Sequence, residues 1–351
     1  MASSFLLYGA NGFVGQAIAR LAVQQGLQPI VAGRNAAELE ALAAELGVEH
    51  RVFRLDESPA MDRALREVAV VLHCAGPYLY TSRPMADGCL RTGTHYLDIT
   101  GEIPVYQALA GRDGEAKRRQ VMLLPGVGFD VVPTDCLAAH LKQRLPTATH
   151  LALAFCSTGP ARLPPGTART AVELIPYGSK VRRNGRLEAS VDGAKARMID
   201  FGRGPVRATS LTWGDVFVAF YSTGIPNIED YAVLPEATVR QMALAGRLRP
   251  LFRLSPVRRL AQGRLEAGST PAERAQTRTS VWGEVQDDRG QRAVSRLHGP
   301  EAGVVWTGLA ALAAVRRVLG GDVRPGFQSP SLAFGADFVL ESEGVSREDL
   351  D

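Results

Sequence analysis

Along the first half of the chain, short apolar runs alternate with longer stretches in which apolar positions recur every three or four residues. The runs at 5–8, 29–33, 52–55, 70–75, 95–99 and 121–124 are nearly continuous in apolar residues, the pattern of strands covered on both faces. Between them, helical spacing predicts helices over 13–25, 36–46, 60–68, 84–93 and 104–118, the last broken near Gly111 and Gly114. Gly26, Gly47 and Gly93 stand where three of these helices should stop. Strand and helix alternating at this spacing imply a parallel sheet with right-handed crossovers. From about residue 147 the pattern changes. Residues 166–177 read as helix, while Asn184-Gly185 and Asp287-Asp288-Arg289-Gly290 read as hairpin turns, the latter between strands 277–286 and 292–298. Strand-like alternation crosses 209–222 through Trp213, Val216, Val218 and Phe220. The expected architecture is an α/β doubly wound parallel sheet in residues 1–146, with 325–351 returning to it. Residues 147–324 are expected to form a second α+β domain containing a mostly antiparallel sheet.

Composition changes this picture little. A chain of 351 residues favours two domains, and 46% hydrophobic with 22% charged residues describes an ordinary globular protein. The net charge of +4 is mild, and no aromatic-interleaved basic groove or zinc-finger spacing appears, so no nucleic-acid partner is expected. The four cysteines form no CxxC pair and read as reduced thiols, which with the strand starting close to the N-terminus predicts a cytoplasmic protein without a signal peptide. The six histidines have no ligand spacing, so no metal is expected. No uninterrupted apolar run reaches the ~18 residues that span a bilayer. The nearest, 303–315, meets Arg316 and Arg317 and reads as a buried helix.

Chemistry enters at the first turn. The strand at 5–8 runs into Gly9, Ala10, Asn11, Gly12, Phe13, Val14 and Gly15, and a helix follows. Glycines at this spacing, between strand and helix, build a diphosphate cradle. The first permits the tight turn, the second lets backbone approach phosphate, and the third lets helix pack on strand, with free N–H groups facing the anion. The sheet is therefore read as Rossmann-type, and the ligand as a dinucleotide. NAD sites put an acid at the end of the second strand, about 20 residues on. This chain has Gly33, Arg34 and Asn35 there, and an arginine pairs with a 2′-phosphate, which argues for NADP(H). Asp56, expected to close the third strand, is placed to meet the adenine edge or is an ordinary strand-end acid. Ala75, Gly76 and Pro77 follow strand four, where backbone would touch the cofactor.

These motifs, with 93–102, 126–135 and the C-terminal stretch around 325–337, resemble the saccharopine dehydrogenase-like oxidoreductases, including the branch of trans-acting enoyl reductases. The resemblance implies a nicotinamide-binding domain, a substrate domain and a homodimer. It does not imply one substrate.

Hydride transfer needs a proton donor beside the nicotinamide. Tyr78, read as a loop residue after strand four, is either that donor or a packing aromatic. Glu102, past Gly101 at the rim, orients a substrate amine or serves as a helix-start carboxylate. Asp130, after strand six, is a candidate substrate or nicotinamide contact. The leading expectation is an NADP-dependent oxidoreductase acting on a C=N/C–NH bond of a small amino- or imino-acid-like molecule. An enoyl reductase on a lipid or polyketide chain and a non-catalytic NADP(H)-binding protein remain open beside it. Finally, residues 247–264 carry Arg247, Arg249, Arg253, Arg258, Arg259 and Arg264 with leucines between them. That stretch is a solvated connection, a grip for an acidic substrate, or a peripheral membrane contact.

Overall fold

The computed structural model describes residues 4–190, 195–263 and 268–350. The chain divides into two units, Met1–Val132 with Gly303–Phe334, and Pro133–Ala302 with Gly335–Asp351.

The first unit opens β1 (Ser4–Tyr8), α1 (Phe13–Gln24), β2 (Gln28–Gly33), α2 (Ala36–Leu46), β3 (His50–Val52), α3 (Ser58–Arg66), β4 (Val70–His73), α4 (Tyr78–Thr92), β5 (His95–Asp98), α5 (Ile103–Ala110), α6 (Asp113–Arg118) and β6 (Met122–Leu124). From there α7 (Val132–Arg144) leads into the second unit. It holds β7 (His150–Thr158), α8 (Pro165–Leu174), β8 (Lys180–Arg183), β9 (Arg186–Ala189), β10 (Ala196–Asp200), β11 (Pro205–Leu211), α9 (Asp215–Thr223), β12 (Asn227–Ala232), α10 (Glu236–Arg247), α11 (Ser255–Gln262), α12 (Pro271–Ala275), β13 (Arg278–Gln286) and β14 (Arg292–Gly299). The chain ends with α13 (Thr307–Leu319), β15 (Gly326–Phe327), α14 (Pro330–Phe334) and β16 (Ser346–Leu350).

In the first unit seven parallel strands take the order β15-β6-β5-β4-β1-β2-β3. The order reverses beside β1, and in such sheets ligands bind beyond the carboxyl ends at that reversal. The central strands are mostly apolar, with Leu6, Leu7, Val71, Leu72 and Leu97 fully buried, because helices cover both faces. In the second unit β10-β11-β12-β7-β13-β14-β16 form a mixed sheet in which only β12 and β7 run parallel along that order. The Asn184-Gly185 turn joins β8 to β9, both residues at positive φ.

Several expectations are corrected. The first unit ends near 132, not 146, and the chain returns to it at 303, not 325; residues 335–351 belong to the second unit, where β16 pairs with β14. The early return follows from α13, whose apolar face packs on α1 and against β4 and β5. The helix over Ala302–Leu319 is long and apolar enough by composition to cross a membrane only when Arg316 and Arg317 are counted in it, and 61% of it is buried, as in the core helix expected. β3 stops at Val52, so Asp56 lies in the following loop and does not close the strand. Residues 215–223 are helix α9, not strand. Val216, Phe217, Val218 and Ala219 are buried together, and Gly224 ends the helix in the left-handed region. Lastly, α4 starts at Tyr78, with Pro84 inside the helix. Tyr78 is therefore a helix residue and not a loop residue.

Candidate functional site

At the end of β1 the backbone turns at Gly9, whose φ is 83°. The N–H groups of Gly9 and Ala10 both donate to the carbonyl of Ala32, at 2.8 and 3.2 Å, which ties the turn to β2. A Cβ on Gly9 would lie 2.8 Å from the backbone of Cys74 and Ala75, and one on Gly15 would lie 2.2 Å from the Gly9 carbonyl oxygen. Only glycine fits either place. Gly12 is the N-cap of α1 in extended conformation, and no side chain caps the helix. The positive end of the helix dipole is therefore turned toward the position an anion would take. Asn11 Nδ2 donates to Glu38 Oε2 at 2.7 Å, and Gln16 Nε2 donates to the Asn11 carbonyl at 3.0 Å, so the turn is held from two sides. Phe13 and Val14 form the first turn of α1.

On the far side of β2, Gly33 ends the strand and Arg34 is exposed. Asn35 caps α2, its Oδ1 accepting from the Glu38 N–H at 3.4 Å. In the loop after β3, Arg54 Nε donates to Asp56 Oδ1 at 3.0 Å, and the arginine holds that carboxyl below the usual range. Burial pushes the Tyr8 hydroxyl up to about 12, while Arg34, Asp56, Arg54 and Glu57 all act on it through space. Two arginines thus share the surroundings of Tyr8 at the mouth of β2 and β3.

The third part lies beyond β4, β5 and β6. The Cys74 N–H donates to the Tyr8 carbonyl at 2.7 Å. Ala75, Gly76 and Pro77 then lead into α4, with a cis peptide between Gly76 and Pro77. Glu102, almost fully buried, accepts from the Tyr78 N–H at 2.8 Å and from the Leu79 N–H at 2.7 Å. It caps α4 from 24 residues away. His73 is fully buried, faces Tyr78 edge-on at 5.4 Å, and is kept neutral by burial, its pKa near 3. Asp98 accepts from the Tyr96 hydroxyl at 2.6 Å and from the N–H groups of Thr100 and Gly126 at 3.0 and 2.9 Å. Despite these bonds, desolvation raises its pKa to about 6. Asp130 is partly buried, its Oδ2 2.9 Å from where a Gly101 Cβ would stand, and desolvation raises it to about 7. Burial first, then the charges of Cys74, Asp98, Glu102 and Asp130, keep the Tyr78 phenol protonated well above its usual range. The cluster can hold a proton at neutral pH and stabilise positive charge.

Residues 5–124 match the saccharopine dehydrogenase NADP binding domain. Most of the first unit is thus similar to the NADP binding domain of that family. The cofactor is NADP(H), and the turn fits that group, since backbone packing leaves no room for a Cβ at Gly9 or Gly15 and the N-terminus of α1 has no side-chain cap. The chain is 25% identical over 162 residues to the saccharopine dehydrogenase-like oxidoreductase of Bos taurus, covering 40% of this chain and 37% of that protein. It is 32% identical over 148 residues to the trans-acting enoyl reductase of Mycobacterium leprae, covering 40% and 35%. The match thus spans little more than a third of either relative. Saccharopine dehydrogenase (L-Glu forming) from Saccharomyces cerevisiae shares the fold over the whole chain, with a TM-score of 0.68 at 14% identity.

Within the NADP-binding domain, Tyr78, Glu102 and Asp130 fall into one cluster, and Gly9 to Gly15 form one turn. Asp56 stands apart from the strand end expected for it. Three residues escaped the sequence reading. Arg54 carried a signal, an arginine two residues before an acid. Glu38 carried another, since an N-cap asparagine followed three residues later by glutamate is a helix-start signature. His73 carried none beyond its place at the end of an apolar run.

Proposed function

We propose that this protein is an NADP(H)-dependent oxidoreductase that transfers hydride to or from a C=N/C–NH bond of a small amino- or imino-acid-like substrate. The observation that carries this reading is the set of acids around Tyr78, namely Asp98, Glu102 and Asp130. Reduction of an imine requires a protonated, cationic C=N, which carboxylates stabilise. Reduction of a conjugated alkene builds negative charge on a carbonyl oxygen, which the same carboxylates oppose. NADP(H) supplies or accepts the hydride when bound. The chain's own residues do the rest. The Gly9–Gly15 turn binds the diphosphate, Arg34 with Arg54 takes the 2′-phosphate, and the loop of Ala75, Gly76 and Pro77 lines the nicotinamide side. Asp130, titrating near 7, exchanges the substrate proton, and Tyr78 donates a hydrogen bond. Glu102 acts as a positioning residue, because both its oxygens hold the start of α4.

A second reading, hydride transfer to a conjugated alkene on a lipid or polyketide chain, is supported by the name of the Mycobacterium leprae relative. The test is consumption of NADPH by the purified protein, offered amines with 2-oxo acids in one series and enoyl thioesters in another. Turnover in the first series only is expected. Turnover confined to the second replaces the first reading with the alternative. NADPH uptake without turnover in either would make the protein a binding module.

A further inference from the structure

In the second unit, α8, α10 and α11 have no buried residue among them. They are 10, 12 and 8 residues long, too short to persist on propensity alone. What holds them is local. α11 packs on α8, Arg258 pairs with Glu173 at 2.9 Å, and Arg258 Nη1 donates to the carbonyls of Phe252 and Arg253. Large apolar side chains on α10, on α11 and in the segment joining them lie outward: Met242, Leu244, Leu248, Leu251, Leu254 and Leu260 are exposed by between 41% at Leu248 and 65% at Leu260. Such a patch exceeds the scattered single apolar residues of an ordinary surface.

Charge selects what covers it. From 237 to 263 the chain has no acidic residue, while Arg247, Arg249, Arg253 and Arg259 fall inside that stretch, beside Arg240, paired with Glu236, and Arg258, paired with Glu173. A second copy docking by two-fold symmetry would set these arginines against themselves. A polyanion such as RNA would satisfy the arginines and leave the leucines in water. A bilayer carrying anionic headgroups satisfies both, with arginines at the phosphates and leucines at the acyl boundary. We propose that residues 240–260 form a peripheral docking surface for an anionic membrane. Pro250 and Pro256 divide the segment, so the contact is a patch of short helices and not one long amphipathic rod. Arg264, singled out in the sequence, lies outside the described residues.

The test is co-sedimentation of the full chain with vesicles of phosphatidylcholine alone or mixed with phosphatidylglycerol. Binding to the mixed vesicles is expected to exceed binding to the neutral ones, and to weaken with salt. The triple variant Arg247→Gln, Arg249→Gln, Arg253→Gln should partition about 100-fold more weakly onto the mixed vesicles. Leu251→Asp with Leu254→Asp should abolish binding even at low salt. NADPH affinity, read at the first unit, should remain unchanged in both variants, and a far-UV circular dichroism spectrum and urea midpoint equal to the parent's report that the second unit of each has folded. Equal binding to both vesicle types, or to neither, overturns the proposal. So does a dimer in solution that the leucine variant dissociates, or retention on RNA that the leucine variant leaves intact. None of these readings depends on which substrate the enzyme reduces.

Discussion

Asp98 and Asp130 are ordinary carboxylic acids whose surroundings favour the neutral form. Asp98 shows which effect wins: three donors lower its pKa, yet loss of water outweighs them and leaves it near 6. Asp130 reaches about 7. The sign for stability follows. Each acid is raised in the folded state, so the folded protein binds the proton more tightly than the unfolded chain. The penalty is absent below the unfolded value of 3.8, grows as pH rises, and is complete above about 7. Asp130→Asn should therefore unfold at higher urea than the parent at pH ~8 and gain little at pH ~4. If Asp130 exchanges the substrate proton, the same variant loses the limb of the rate profile near neutrality. Arg34→Gln should weaken NADPH binding roughly 10–100-fold in calorimetric titration and leave NADH almost unchanged, the loss expected for a charge-assisted bond. The tight turn from Gly9 to Gly15 was legible because local geometry defines it. The carboxyl environments were not, since burial depends on what the rest of the chain brings over them.

At the scale of elements, the beginning of α4 is instructive. Proline favours the first turn of a helix, so Pro84 read as a start. The helix begins six residues earlier because Glu102 supplies acceptors to the N–H groups of Tyr78 and Leu79, and no local window contains that partner. Replacing Glu102 with glutamine removes the charge and one acceptor. That should cost about 1–3 kcal/mol in urea denaturation, and NADPH affinity should fall with it because the Gly76-Pro77 loop precedes α4 directly. α9 misled differently. Its apolar residues fit a period of two as well as of 3.6 over so short a span, and only Gly214 and Gly224 at its ends marked it as helix. By contrast α2 was read to the residue, since Asn35 and Gly47 bound it with their own side chain and backbone conformation.

For the whole molecule the two-unit reading held, and the boundaries moved because chain continuity is a poor guide to packing. The first unit is discontinuous, with α13 and β15 supplied from beyond residue 302. Two truncations separate the roles of the C-terminal pieces. A chain ending at Phe334 keeps the first unit entire and should still titrate with NADPH, while loss of β16 uncovers the edge of β14 and lowers the unfolding midpoint of the second unit. A chain ending at Ala302 should bind no NADPH. The same discontinuity matters during synthesis. A Cβ on Gly308 would touch Leu21 and Ile18, so α13 lies directly on α1. Between Val132 and Gly303 a ribosome needs roughly 10–35 s at about 5–20 residues per second. Throughout that interval the nascent sheet waits with an oily flank bare, which makes the half-made protein a client for chaperones well before its last helix arrives.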